Sequence, residues 1–309
     1  MADRTDESPS VTTRTISVPR DYSLAETCAP AAWGGSRWPS HAWMSGAFVW
    51  VGWEDDEVVW RAASQPAPGQ GIEIRGTASP ARDREWASAV LGIEEQPPTF
   101  DDPVIERLRL QFPGLRPYAA GSLYEGLVSS IVGQSISVAS AAVTETRLAA
   151  LFHEGIVVFG RRFYPLPCPS HLASAEPAML RTSGVTMRRA EALVAVGRAA
   201  LDGSLPFVSR AGADRDHVRE VIRRLPLVGP WTAESALLWG LGLSDAYPVG
   251  DVALLRAARF AYGEPDLAQA VLDTRAKQWS PARAWATRYL WTHLLGVAPP
   301  APGPGDLSP

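Results

Sequence analysis

"LPLVGPWTAESALL", residues 225–238, sets Gly229 and Pro230 between two apolar helical patterns and follows them at once with Trp231, Thr232 and Ala233. Before the break, Val218, Val221, Ile222 and Leu225 recur at helical spacing; after it, Ala233 to Leu241 continue a helix that Gly242 would end. Pro230 suits a first helical position, where the missing N–H costs nothing. Two helices joined by so tight a turn present backbone N–H groups at the start of the second, and such donors hold phosphate groups. The competing reading is a helical hairpin that only packs.

Asp251 follows Trp231 by 20 residues and opens "DVALLRAARFAYG", a helical pattern that closes at Gly263. An Asp at that place caps a helix by accepting from its free N–H groups. Upstream, Leu123, Leu127, Val128, Ile131 and Val132 form one apolar stripe, Ser137 precedes a helix over 138–152, and Met187 to Leu201 make another that ends at Gly203. Pro281 to Leu295 form the last helix, so residues 103–297 are expected to fold as an all-α domain.

Residues 16–102 read differently. "AFVWVGW" and "EVVWRAA" flank the turn-like Glu54 to Glu57, and "GIEIRGT" follows a Pro/Gly loop, which predicts an α+β module with an antiparallel sheet. Trp43, Trp50, Trp53 and Trp60 alternate along these strands as core residues do. Residues 1–15 and 298–309 lack apolar periodicity and are expected to be disordered.

The 309 residues exceed the usual single-domain size. No apolar leader and no run of 18 apolar residues is seen, so the expected location is cytoplasmic, nucleoid-associated, with no membrane partner. Cys28 and Cys168 stand alone, which argues against a disulfide framework or a structural zinc site. The net charge of −4 hides an asymmetry: residues 1–116 carry −6 and residues 117–298 carry +3. The later part is the one suited to face an anion.

Leu225, Pro226, Val228, Gly229, Thr232 and Ala233 match the helix-hairpin-helix pattern, with Leu227 where that pattern has its first glycine. Hairpin, intervening helix, Pro-containing turn and Asp251 together resemble the helix-hairpin-helix/Gly-Pro-Asp DNA glycosylases. "LYEGLVSSIVGQSISVASAA", "RLPLVGPWTA" and "WSPARAWATRYLW" are similar to the 3-methyladenine DNA glycosylase II (AlkA-like) branch, over roughly residues 103–295. The resemblance implies a monomeric, monofunctional enzyme of base excision repair that binds damaged double-stranded DNA and excises alkylated purines. The alternatives are a glycosylase for other lesions, such as deaminated purines, and a non-catalytic damaged-DNA binder.

Under this resemblance Asp251 is catalytic: base cleavage builds positive charge on the sugar, which a carboxylate stabilises while orienting water. Trp231, Tyr247 and Trp291 would form the pocket for the flipped base, where electron-rich rings favour a cationic one. Gln134, Ser135, Ile136, Val228, Gly229 and Thr232 would contact DNA, with Ser135 or Ile136 filling the gap left by the flipped nucleotide. The carbonyls of Arg223, Leu225 and Val228 correspond to positions that hold sodium or potassium in relatives. No other cofactor is expected, and two cysteines cannot ligate an iron–sulfur cluster of the four-cysteine kind. Strand-cutting relatives carry a lysine where Trp231 stands, so no covalent link to DNA is expected.

Overall fold

The computed structural model describes residues 10–33, 38–206, 208 and 214–299. The expected disorder of residues 1–9 and 300–309 falls outside these. Ordered structure begins before the anticipated boundary at residue 16: Thr12–Ile16 is strand β1, whose β-branched residues pair antiparallel with β5, Ile72–Gly76. At the other end Ala298 is buried and donates to Ala25 O at 3.2 Å, while Trp43 Nε1 donates to Pro299 O at 2.8 Å. Residues 298 and 299 therefore pack on the N-terminal domain instead of opening a free tail.

With β2 (His41–Met44), β3 (Ala47–Glu54) and β4 (Glu57–Ser64), these strands make an antiparallel sheet of order β1-β5-β4-β3-β2. Asp55 and Asp56, at φ 49° and 65°, join β3 to β4 through a two-residue left-handed turn that matches the strand twist. Alternation assigns each face. Phe48, Ala63, Ile72 and Ile74 pack with helix α1 (Leu24–Thr27) and with Trp86, Val90 and Leu91 of α2 (Asp83–Leu91). Val49, Val51 and Ala62 face a small hairpin, β6 (Ile156–Val158) and β7 (Arg161–Phe163), which interrupts the otherwise helical half. The tryptophans are spent on packing: Trp50 lies 5.9 Å from Trp86, Trp53 donates to Leu166 O, and Trp60 meets Phe159 edge-on.

The rest is helical: α3 (Pro103–Gln111), α4 (Leu123–Gly133), α5 (Val138–Ala150), α6 (Pro169–Ser174), α7 (Pro177–Leu180), α8 (Met187–Leu201), α9 (Arg215–Ile222), α10 (Pro230–Ala236), α11 (Val252–Tyr262), α12 (Gln269–Arg275) and α13 (Arg283–Leu295). Their apolar stripes meet in one core, through which α4 passes with Leu127, Val128, Ile131 and Val132 fully buried. Helix α10 continues into a π-helical turn, Leu237–Leu241, that stops at Gly242 with φ 65°.

Where α4 crosses this turn the two backbones touch. A Cβ on Gly126 would sit 2.5 Å from Ala236 O and 2.6 Å from Gly240 Cα, and one on Gly240 would sit 2.6 Å from Ser122 O. Because the obstacles are backbone atoms, no rotamer change relieves them. Gly126→Ala should therefore destabilise the fold by about 1–3 kcal/mol, the range for overpacking. Urea unfolding measures this, and a midpoint equal to wild type would refute the backbone contact.

Candidate active site and nucleic-acid interface

The hairpin forms as the sequence pattern indicates. Helix α9 ends at Ile222, Val228 N–H donates to Leu225 O at 3.3 Å, and Gly229 and Pro230 start α10. Leu227 keeps the turn despite its side chain by adopting φ 62°. For an L-residue that conformation costs about 1–2 kcal/mol, a cost the surrounding contacts offset.

Those contacts come from α4. Its C-cap, Gln134, turns its amide into the hairpin, donating to Leu227 O at 2.8 Å and to Thr232 Oγ1 at 2.9 Å. The Gln134 carbonyl in turn accepts from the Arg189 guanidinium. Gln134 is thus a tertiary clamp spanning 93 residues, and Ser137, accepting from Ser140 N–H, is the residue that caps α5. Between them Ser135 takes φ 56° and both Ser135 and Ile136 are exposed, with Ile136 an apolar side chain at the tip. Of the expected DNA contacts, Ser135, Ile136 and Gly229 face outward. Val228 is buried at 5% exposure and Thr232 at 4%, so their side chains build the hairpin.

Asp251 caps α11, its Oδ1 accepting from Leu254 N–H at 2.7 Å. Its other oxygen, Oδ2, accepts from Trp231 Nε1 at 2.9 Å. The capping role therefore leaves the second oxygen engaged: one N–H on each oxygen orients a half-buried carboxylate beside the hairpin. The loop that brings it there is anchored by Glu234, a residue that sequence patterns did not single out. Glu234 is buried on α10; it accepts from Arg219 Nε at 2.5 Å and from Tyr247 N–H at 2.8 Å. This second carboxylate is consumed by the scaffold.

Tyr247 is 2% exposed, meets Trp279 edge-on at 6.3 Å, and its hydroxyl donates to Asp273 Oδ1 at 2.8 Å. Burial and that carboxylate push its phenol well above the ordinary range. Trp291 is 5% exposed, its indole N–H is buried with no acceptor among the described residues, and its ring stacks on Trp239 at 5.4 Å and 17°. Helical periodicity did not mark Trp239, because the π-turn shifts the register there. Lys277, the sole lysine, is exposed in the segment before α13. Among the described residues no group of three or more His, Cys, Asp or Glu side chains is placed to hold a metal, and no single helix is long and apolar enough to cross a membrane.

No family model matches the chain. It is 31% identical over 194 residues to DNA-3-methyladenine glycosylase 2 of Escherichia coli, covering 63% of this chain and 66% of that protein. It is 33% identical over 194 residues to a probable bifunctional transcriptional activator/DNA repair enzyme AlkA of Mycobacterium tuberculosis, covering 62% of this chain and 38% of that protein. The chain thus matches less than two thirds of the length of either relative. The solved structure of 3-methyladenine DNA-glycosylase from Archaeoglobus fulgidus shares the fold, with TM-score 0.71 and 21% identity over 91% of this chain and 97% of that one.

Replacing Gln134 by Leu removes both donors while keeping side-chain volume. It leaves the Leu227 carbonyl and the Thr232 hydroxyl without that partner, and should cost about 1–3 kcal/mol in chemical denaturation. No loss of stability would show that the clamp is not formed.

Proposed function

We propose, from the premise that the chain belongs to the helix-hairpin-helix/Gly-Pro-Asp superfamily of DNA glycosylases, that it is a monofunctional glycosylase that excises alkylated purines of the 3-methyladenine type from double-stranded DNA. The observation that carries this reading is the pair of bonds on Asp251. Trp231 N–H and Leu254 N–H orient the carboxylate, and each oxygen keeps lone pairs for substrate. Breaking the N-glycosidic bond leaves electron deficiency at C1′ of the deoxyribose, and the Asp251 carboxylate stabilises it electrostatically. The same group holds water, which adds to C1′ as the base departs with the bonding electron pair. A ring-alkylated purine is already cationic, so it leaves without protonation by a second acid; the engagement of Glu234 by Arg219 and Tyr247 fits that economy.

DNA is held by the exposed start of α10 at Gly229 and by the tip Ser135–Ile136, where exposed Ile136 is the apolar wedge for the gap left by the flipped nucleotide. A sodium or potassium ion would be held by the carbonyls of Arg223, Leu225 and Val228; Leu225 O, which accepts from Val228 N–H, has a second lone pair to offer. Such an ion would neutralise a backbone phosphate. The protein acts as a monomer in the cytoplasm, on nucleoid DNA.

The test is a single-turnover assay on an alkylated duplex. Wild-type protein should release free base, leave the abasic strand intact and yield no adduct on borohydride treatment. Asp251→Asn should keep DNA binding while slowing release at least about 100-fold. Release at the wild-type rate by a folded variant would sink the assignment. A trapped adduct lost in Lys277→Ala would replace hydrolysis by an amine mechanism.

A further inference from the structure

One turn beyond Trp231, helix α10 carries Ser235, whose small hydroxyl side chain offers a base no stacking face. The next aromatic residue on that path is Trp239, in the π-turn. Its backbone is tied to the segment before α4, where Ala120 N–H donates to Trp239 O at 2.7 Å and Gly121 N–H to Gly240 O at 3.0 Å, and that segment is itself tied to the sheet domain by Ala119 N–H donating to Val90 O at 3.0 Å. Its ring touches the cores of both domains.

The ring lies flat on α13. Arg288 and Trp291, three residues apart, share one side of that helix. The Arg288 guanidinium carbon is 3.6 Å from the Trp239 ring centre, and the Trp291 ring is nearly parallel at 5.4 Å. A centre separation of 5.4 Å exceeds the contact distance of stacked rings, about 3.5 Å, so the two indoles are slipped. Trp291 is 5% exposed, whereas Trp239 is only half-buried. Of the two stacked indoles, the accessible aromatic surface is therefore that of Trp239.

We infer, on the basis of the glycosylase reading above, that Trp239 is the stacking platform for the flipped base and sets a preference for bicyclic purines over pyrimidines. Stacking attraction grows with the number of atoms in contact, so a two-ring base gains more from an indole than a one-ring base does. The pinned backbone and the guanidinium beneath the ring hold the platform before the base arrives, so little conformational freedom is lost on binding.

The test compares wild type, Trp239→Leu and Trp239→Phe in single-turnover base release from duplexes carrying an N-alkylated purine or an O2-alkylated pyrimidine. Thermal unfolding is followed in parallel. Loss of one base–aromatic stack corresponds to roughly 5- to 160-fold. Trp239→Leu should lose that much on the purine and at least threefold less on the pyrimidine, and Trp239→Phe should fall between. If Trp239→Leu does not fold, the Phe variant decides by the same purine-to-pyrimidine ratio. An unchanged ratio, or an equal loss on both bases, overturns the platform while leaving the glycosylase reading intact. A wild-type protein that releases neither base removes both.

Discussion

Two glycines in backbone contact set the geometry on which the site depends. Gly126 on α4 and Gly240 in the π-turn let the helices cross with no side chain between them. Closeness at that crossing has consequences at both ends of α4. At its C-terminus, Gln134 comes within reach of the hairpin and ties Leu227 O and Thr232 Oγ1. At its N-terminus, the segment before Ser122 is brought against Trp239 and Gly240, which accept from Ala120 and Gly121. A helix separated from its neighbour by even a methyl layer would miss one set of bonds or the other, since each is a contact of about 3 Å.

The remaining elements are fastened by buried carboxylates that accept from several distant donors. Glu234 joins α9, α10 and the loop before Asp251. Asp245 takes the guanidinium groups of Arg215 and Arg283, linking α9 to the start of α13. Asp102 caps α3 and also accepts from Tyr262 Oη at 2.5 Å and Trp279 Nε1 at 3.0 Å. Such groups contribute little net stability over an apolar pair, and removing one partner is costly because the other stays buried and uncompensated. Their effect is to define one arrangement of the loops, which a site built from residues 134, 231 and 251 requires.

Local chemistry was legible in the sequence, and long-range partnership was not. Pro230 at a first helical position, Asp251 at a cap and Gly263 at a helix end each act through their own backbone, so the pattern of residue types marks the boundaries of α10 and α11 directly. Gln134 carries no such mark, because its partners are 93 and 98 residues away. Tyr247 could be read as a pocket residue because nothing local says that Asp273 lies against its hydroxyl. Trp239 lies in a π-turn, where the 3.6-residue period that sorts helix faces does not hold. Strand β1 was missed at its start because Thr12 to Thr15 are largely exposed edge residues that show no apolar alternation.

The residue at position 231 joins two features that a sequence treats separately. As an indole it supplies no amine for a Schiff base, so a covalent route through that position is closed. As a donor it holds Oδ2 of Asp251, so the same side chain orients the carboxylate that the proposed hydrolytic route uses. A lysine introduced at 231 would bring an amine to the site and also remove the neutral N–H that orients Asp251. The flexible ammonium would compete for the carboxylate as an ion pair instead of holding it by one directed bond. The identity of residue 231 therefore bears on what the carboxylate beside it does as well as on which nucleophile is present. In the proposed reaction the choice between water and amine would in that sense be a property of the Trp231–Asp251 pair, positioned by the hairpin on one side and the cap of α11 on the other.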